Sequence, residues 1–159
     1  MAHAAGEGSV KSVTHNEEDR YGLQRFVDAQ EPVYAQVCAE LRAGRKWTHW
    51  MWFVFPQMRG LGHSSAAERF GISSLQEAQA YAAHPVLRVR LRECCRLLLQ
   101  LDSGDASAIF GFPDDLKLRS SMTLFSRAAP DEPTFRGVLE KFFGGEEDAA
   151  TLRLIAATD

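Results

Sequence analysis

The chain has no apolar run that approaches the length of a membrane span. Crossing a bilayer takes about 20 consecutive apolar residues, so an integral membrane protein is not expected. Residues 1–16 also lack the hydrophobic core of a secretory signal. These absences predict a cytoplasmic protein with a disordered tail at residues 1–19 and a single domain at residues 20–158.

Cysteine is scarce, and its arrangement does not favour disulfide bonds. Cys38, Cys94 and Cys95 are an odd number with one adjacent pair, and no C-x-x-C motif occurs. We expect the three side chains to be small buried hydrophobic groups in a reducing compartment. A reactive thiol is the alternative interpretation.

The chain has neither an excess of basic charge nor a metal-binding motif. A net charge of −3 argues against a broad nucleic-acid-binding surface. No H-E-x-x-H motif is present, so no metal site is expected. A Walker loop and a glycine-rich dinucleotide fingerprint are also missing, and we predict no cofactor.

Alternating strand patterns are missing as well, whereas helical periodicity recurs along the chain. Apolar residues three and four positions apart predict helices, and Ser, Asp, Gly and Pro mark their ends. We predict an all-α single irregular domain of seven to nine helices, several of them short. They are expected to pack orthogonally around a central long helix, which is predicted to be the longest and runs from near Pro85 to near Leu101.

Polar residues mark where several of these helices begin. Ser65 and Ser74 are each followed by a glutamate three residues later, which is the spacing of a capping box. We expect Asp105, Asp114 and Asp148 to accept hydrogen bonds from the first backbone N–H groups of three more helices.

All three tryptophans lie in one aromatic segment, residues 46–57. Helical spacing predicts that Trp47 and Trp50 face the core, and that His49 and Trp52 lie outside this stripe. Burying three indole N–H groups requires three acceptors, which makes complete burial costly. The segment is therefore either the centre of the core or the wall of a binding site.

Two further segments carry groups suited to an anion. The loop at residues 57–65 contains Arg59 and glycines that allow close approach to a helix N-terminus, although a simple turn with an N-cap is the alternative. The segment at residues 112–123 places Lys117 and Ser121 on one helix face. Its aspartates are interpreted as helix-capping groups.

Several long motifs resemble a known family. They are Lys46-x-x-His49-Trp50-Met51-Trp52-Phe53-x-Phe55-Pro56-Gln57, Gly60-Leu61-Gly62-x-Ser64, His84-Pro85-Val86-Leu87 and Phe110-Gly111-x-Pro113-Asp114-Asp115-x-Lys117-Leu118-x-Ser120-Ser121-Met122-Thr123-Leu124-Phe125. In this order they are similar to the bacterial and fungal family called domain of unknown function 1810, from about Tyr21 to Ile155. The resemblance implies a mainly α-helical single domain and supplies no activity or catalytic residues. Arg88 departs from the pattern, which favours a smaller residue there.

We predict that the protein binds a small anionic, ring-bearing ligand such as a nucleotide derivative. His49 is the candidate acid–base group, because histidine exchanges protons near neutral pH. Trp52 is the expected stacking platform. The full set of candidate ligand-binding residues is Lys46, His49, Trp52, Gln57, Arg59, Gly60, Gly62, Ser64, Lys117 and Ser121.

Other functions are compatible with the same sequence. An exposed aromatic patch would make the protein a non-catalytic protein-interaction module. Nucleic-acid binding through the row Arg88, Arg92 and Arg96 is a third hypothesis, for which a solvated helix face is the simpler interpretation. Nucleotide-sugar hydrolysis is an analogy with other helical, tryptophan-rich domains. The residues indicate neither a reaction nor an oligomeric state.

Overall fold

The computed structural model describes residues 19–158, and every regular element within them is a helix. The extended pairing in this range is an isolated parallel bridge between Met58 and Ile72. The prediction of an all-α domain is therefore confirmed. The predicted disordered tail lies outside the described residues, apart from its last position, Asp19.

Ten helices form the described part of the chain. They are α1 (Gln24–Gln30), α2 (Tyr34–Ala43), α3 (Met51–Val54), α4 (Ser65–Phe70), α5 (Leu75–Ala83), α6 (Leu87–Gln100), α7 (Ala106–Phe110), α8 (Asp114–Ala128), α9 (Pro133–Phe143) and α10 (Ala149–Thr158). The expected seven to nine helices were too few. None of the ten is long and apolar enough to cross a membrane.

The longest helix is α8, with 15 residues, and not α6, with 14. Helix α8 packs against α5, α7, α9 and α10, whereas α6 packs against α2, α5 and α9. The prediction that the helix after Pro85 is the longest was wrong. The buried face of α8 contains Ser120, Ser121, Thr123 and Ser126, so hydrophobic periodicity alone understated how deeply it lies in the core.

Local capping chemistry was predicted more accurately. The side chains of Ser74, Asp105 and Asp148 each accept a hydrogen bond from the backbone N–H three residues later, at 3.1, 3.2 and 3.0 Å. The cap of α4 was displaced by one residue. Ser64, and not Ser65, accepts the bond from the N–H of Ala67 at 3.1 Å.

The first half of the aromatic segment is a loop wrapped around the carboxylate of Glu40, and not a helix. Glu40 lies on α2 and is fully buried. Its Oε1 accepts hydrogen bonds from the backbone N–H groups of Trp47 and Thr48, at 2.8 and 3.2 Å, and from Nε1 of Trp50 at 3.0 Å. Its Oε2 accepts from Oγ1 of Thr48 at 2.6 Å and Nε2 of Gln36 at 2.9 Å. Helix α3 begins only after this loop.

The loop reverses the predicted orientation of two tryptophans. Trp50 is 1% exposed, as expected, because Glu40 accepts its indole hydrogen. Trp47 was expected in the core and is 60% exposed, whereas Trp52 was expected outside the core and is 8% exposed. Both predictions were wrong because Trp47 lies in a loop and the helix begins only at Met51, so no single helical register joins Trp47 to Trp52.

The missing side chain of Gly62 allows the loop before α4 to lie directly against Trp52. A Cβ at this position would be 2.9 Å from Cζ2 of Trp52 and 3.1 Å from Cβ of Ala67. Contacts this short force a rearrangement in packed regions. The absence of a side chain at Gly62 thus allows the loop to pack closely against the indole of Trp52.

The buried Glu40 carboxylate predicts an acid-sensitive fold. Burial alone would raise the pKa of Glu40, but hydrogen bonds from Thr48, Gln36, Trp47 and Trp50 outweigh it and lower the pKa from 4.5 to about 2. A carboxyl with a lowered pKa stabilises the fold above its unfolded pKa, and this contribution is lost as pH falls towards the folded pKa. Such a shift corresponds to about 3 kcal/mol at neutral pH.

We therefore expect Glu40→Gln to lower the free energy of unfolding by about 3 kcal/mol at pH 7. The NH₂ group of the new glutamine cannot accept the hydrogen bonds that one carboxylate oxygen now accepts. Urea unfolding measured from pH 7 to pH 3 should show a smaller loss of stability in Glu40→Gln than in the natural protein. Exposed Glu140→Gln is the control and should leave both values unchanged. Equal pH slopes for Glu40→Gln and the natural protein would contradict the assignment.

We expect Gly62→Ala to lower the free energy of unfolding by about 1–3 kcal/mol, because its Cβ overlaps Trp52. Urea unfolding followed by tryptophan fluorescence measures this change. Gly137→Ala is the matched control, since its Cβ would lie at an ordinary 3.7 Å from Leu99 in a helix. That control should be neutral or stabilising by up to about 1 kcal/mol, and similar losses in both variants would refute the packing role.

Candidate functional site

Two adjacent cavities lie on either side of Trp52 and Lys117. The first, which we call the ring cavity, has a volume of about 250 Å³. The second, the polar cavity, has a volume of about 420 Å³. Trp52, Ser64 and Lys117 line both of them. Small-molecule sites typically measure about 300–1,000 Å³, a range that includes the polar cavity and lies just above the ring cavity.

Aromatic side chains form the walls of the ring cavity. Trp50, Trp52 and Phe53 come from the aromatic segment, and Phe70 comes from the end of α4. The rings of Phe53 and Phe70 have centroids 5.3 Å apart and are tilted by 56°. Such walls provide the flat apolar contacts that suit a planar ring.

One corner of the ring cavity contains an ion-paired triad. Asp114 lies 2.8 Å from Nζ of Lys46 and 3.2 Å from Nζ of Lys117. Burial alone would raise the pKa of Asp114, but the two lysines together outweigh it and hold this pKa below its ordinary value. The triad therefore keeps one positive charge in excess, which favours anions.

The predicted capping role of Asp114 was wrong. Pro113 is the residue before α8, and Asp114 is the first helical residue, with its carboxylate directed to the lysines. Lys46 lies 68 positions earlier in the chain, so no local spacing could have indicated this pair. The rest of the ring cavity shows the same limit, because Phe70 reaches it from another helix.

The two lysines differ in accessibility. The side chain of Lys46 is 6% exposed, and its Nζ also donates to the carbonyl of Thr48 at 2.6 Å. The side chain of Lys117 is 30% exposed, and its Nζ lies 6.0 Å from the ring centroid of Trp52. Lys117 is therefore the cation that a ligand in either cavity can reach.

Gln57 brings an unsatisfied hydrogen-bond donor to the polar cavity. Its side chain is 2% exposed, and its Nε2 has no hydrogen-bond partner among residues 19–158. A buried donor without a partner costs about 1–3 kcal/mol. Gln57 lines the polar cavity together with His63 and Lys117, so an acceptor bound there could remove this cost.

Asp148 also lines the polar cavity, but its carboxylate is already occupied. Its Oδ2 accepts hydrogen bonds from Oγ of Ser120 at 3.2 Å and from the backbone N–H and Oγ1 of Thr151 at 3.0 and 2.6 Å. Nη2 of Arg119 lies 3.6 Å from its Oδ1. These partners reduce the repulsion that Asp148 would exert on an anion.

The structure brings together seven of the ten candidate residues. Those that line one or both cavities are Lys46, His49, Trp52, Gln57, Gly62, Ser64 and Lys117. His49 is exposed and borders the ring cavity, whereas Gln57 and Gly62 border the polar cavity. The candidates converge through tertiary packing, since Lys117 of α8 joins residues of the aromatic segment and of the loop at residues 57–65.

Three candidates lie outside the linings of both cavities. Arg59 is exposed, and its Nη2 donates to the carbonyl of Gly71 at 3.4 Å. Gly60 has a φ of +107°, and a Cβ there would lie 3.5 Å from Leu154, so it serves a turn. Ser121 is fully buried inside α8. The part of the glycine-rich loop around Arg59 and Gly60 thus lies outside both cavities, whereas Gly62 and Ser64 line the polar cavity.

The remaining candidate groups are the cysteines and the arginine row. Cys38, Cys94 and Cys95 are buried free thiols, and burial raises the pKa of Cys95. Arg88 and Arg96 are exposed, whereas Nε of Arg92 lies 3.0 Å from Glu132. Among the described residues, no group of three or more His, Cys, Asp or Glu side chains could hold a metal ion.

Comparison with known proteins places the chain in a family. The chain is 57% identical to the conserved hypothetical protein Rv1873 from Mycobacterium tuberculosis, whose crystal structure was determined at 1.38 Å. The two structures align with a TM-score of 0.85 over 87% of this chain and 99% of the other. No functionally curated protein matches. The family described as "Protein of unknown function (DUF1810)" matches residues 20–155, and the chain therefore belongs to the DUF1810 family.

Proposed function

We propose that the protein binds a small anionic, ring-bearing ligand across the ring cavity and the polar cavity. The observation that carries this proposal is the buried Nε2 of Gln57, which lacks a partner in the described chain and belongs to a residue that lines the same cavity as Lys117. Buried polar groups in folded proteins are almost always hydrogen-bonded, and exceptions concentrate at functional sites. The cytoplasmic location expected from the sequence is part of this proposal.

An anionic group on the ligand is supported by the charges around the two cavities. Lys46 and Lys117 share a single carboxylate, that of Asp114, which leaves one positive charge in excess. A phosphate or carboxylate beside Lys117 and Gln57 would accept from both side chains, and charge-assisted hydrogen bonds are stronger than neutral ones.

A ring on the ligand is supported by the four aromatic walls of the ring cavity. A flat ring in this space would contact Trp52 and Phe70 without leaving polar groups unpaired. The proposal is confined to binding. His49, which borders the ring cavity, is the residue to test for proton transfer once a ligand is identified.

A second candidate function, protein interaction, is favoured by three exposed apolar side chains. Trp47 is 60% exposed, Phe112 is 78% exposed and Leu116 is 44% exposed. The backbone N–H of Lys46 donates to the carbonyl of Ile109 at 2.8 Å, which brings the loop that carries Trp47 close to Phe112. Exposed aromatic side chains of this kind frequently form the centre of protein interfaces.

We expect Gln57→Leu to raise the free energy of unfolding of the ligand-free protein by about 1 kcal/mol, because it removes an unpaired buried donor. The same substitution should weaken ligand binding, since it removes the donor that a ligand would use. Urea unfolding and ligand-induced shifts in Tm measure the two effects. A loss of stability in Gln57→Leu would show that the amide already has a partner and would remove the main support for the site.

Lys117→Met should reduce the affinity for an anionic ligand by about tenfold or more, since it removes a charged hydrogen bond. The screen uses nucleoside monophosphates, nucleotide sugars and aromatic carboxylates as probes in thermal unfolding. Arg153→Met, at an exposed position of α10, is the matched loss of one positive charge and should leave the shift intact.

The same screen separates the two candidate functions. A shift in Tm that persists in Trp47→Ala and Phe112→Ala but disappears in Lys117→Met supports the ligand site. If none of the probes stabilises the natural protein, the exposed patch around Trp47 and Phe112 becomes the better supported function.

A further inference from the structure

We infer that the ligand is a nucleoside phosphate, with its base in the ring cavity and its phosphate in the polar cavity. This inference rests on the proposed function and assigns the chemical class and orientation of the ligand. The two cavities share a ridge formed by Trp52, Ser64 and Lys117, so one molecule can occupy both.

The ring cavity suits a nucleobase better than a sugar. Phe53 is partly exposed and Trp52 and Phe70 are 8% and 6% exposed, and a hydroxyl-rich sugar against these apolar rings would leave hydroxyl groups without partners. A nucleobase has two flat faces that stack on aromatic side chains, and its polar groups lie only on its edges.

The ion-paired corner of the ring cavity matches such an edge. The carboxylate of Asp114, whose side chain is 20% exposed, is an acceptor. Every nucleobase carries a donor group on its edge, so it can donate to this carboxylate. His49 borders the same cavity and can contact an exposed edge of the base.

The polar cavity suits a phosphate. Nε2 of Gln57 is an unpaired donor, and the ammonium of Lys117 is partly exposed. Oγ of Ser64 accepts from the N–H of Ala67, which leaves its own hydrogen free to donate. Together with His63 these groups come from two separate parts of the fold. A tetrahedral phosphate, with oxygens in several directions, can meet all of them, whereas a planar carboxylate has only two oxygens.

The ridge between the cavities would carry the sugar. Lys117 contacts both cavities and lies 6.0 Å from the centroid of Trp52. A ribose that spans the ridge would therefore place a 5′-phosphate beside Lys117 and keep the base against the aromatic walls.

Two small alanines allow each cavity to be blocked separately. Ala66 is exposed on α4 and lines only the ring cavity, whereas Ala150 is partly exposed on α10 and lines only the polar cavity. Ala66→Leu and Ala150→Leu fill these spaces from the surface, which leaves the buried core unchanged. Circular dichroism and thermal unfolding without ligand verify that both variants fold.

The experiment measures Kd by calorimetry for AMP, GMP, CMP and UMP, for the matching nucleosides, for inorganic phosphate and for phenyl phosphate. We expect at least one nucleoside monophosphate to bind about tenfold or more tightly than its nucleoside, inorganic phosphate and phenyl phosphate. Ala66→Leu should reduce its affinity to that of inorganic phosphate. Ala150→Leu should reduce it to that of the nucleoside.

The outcomes separate this inference from the proposed function. If phenyl phosphate binds as tightly as the best nucleotide, the nucleobase assignment is overturned while binding of an anionic, ring-bearing ligand stands. If Ala66→Leu leaves nucleotide affinity unchanged, the assigned orientation is overturned. If neither nucleotides nor phenyl phosphate bind the natural protein, the proposed function fails together with the inference.

Discussion

The ring cavity and the polar cavity depend on the hydrogen bonds that the buried carboxylate of Glu40 accepts. It accepts five hydrogen bonds and thereby holds the loop from Trp47 to Trp50 in a non-helical path. That path lets α3 begin at Met51 and places Lys46 where its ammonium meets Asp114 at the start of α8. Without this carboxylate, the backbone N–H groups of the loop would need other acceptors.

The two cavities form where the loop from Trp47 to Trp50 meets α4 and α8. Trp52 is held on one side by Gly62, and on the other side it lies beside Lys117. The two cavities are thus separated by a side chain whose position is determined by packing rather than by a flexible loop. A binding surface held by buried groups in this way is already organised before a ligand arrives, which reduces the entropy lost on binding.

Glu40 and Gln57 show two different uses of a buried polar side chain. Both oxygens of Glu40 accept hydrogen bonds, and the resulting low pKa keeps the carboxylate charged. Its role is to hold the loop in place. Nε2 of Gln57 has no partner in the described chain, and Gln57 lines a cavity together with Lys117. Since unsatisfied buried donors weaken a fold, Gln57 does not contribute to stability as Glu40 does.

The sequence by itself determined the features that depend on near neighbours: the all-α class, caps such as Ser74 and Asp148, and the motifs of the DUF1810 family. Seven of the ten candidate residues also line the two cavities, because the aromatic segment, the loop that follows it and α8 meet there. Only the tertiary structure decided the rest. In the folded protein Trp47 is exposed, Trp52 is buried and Lys46 forms an ion pair with Asp114. These outcomes follow from hydrogen bonds and ion pairs between distant segments, which local spacing does not encode.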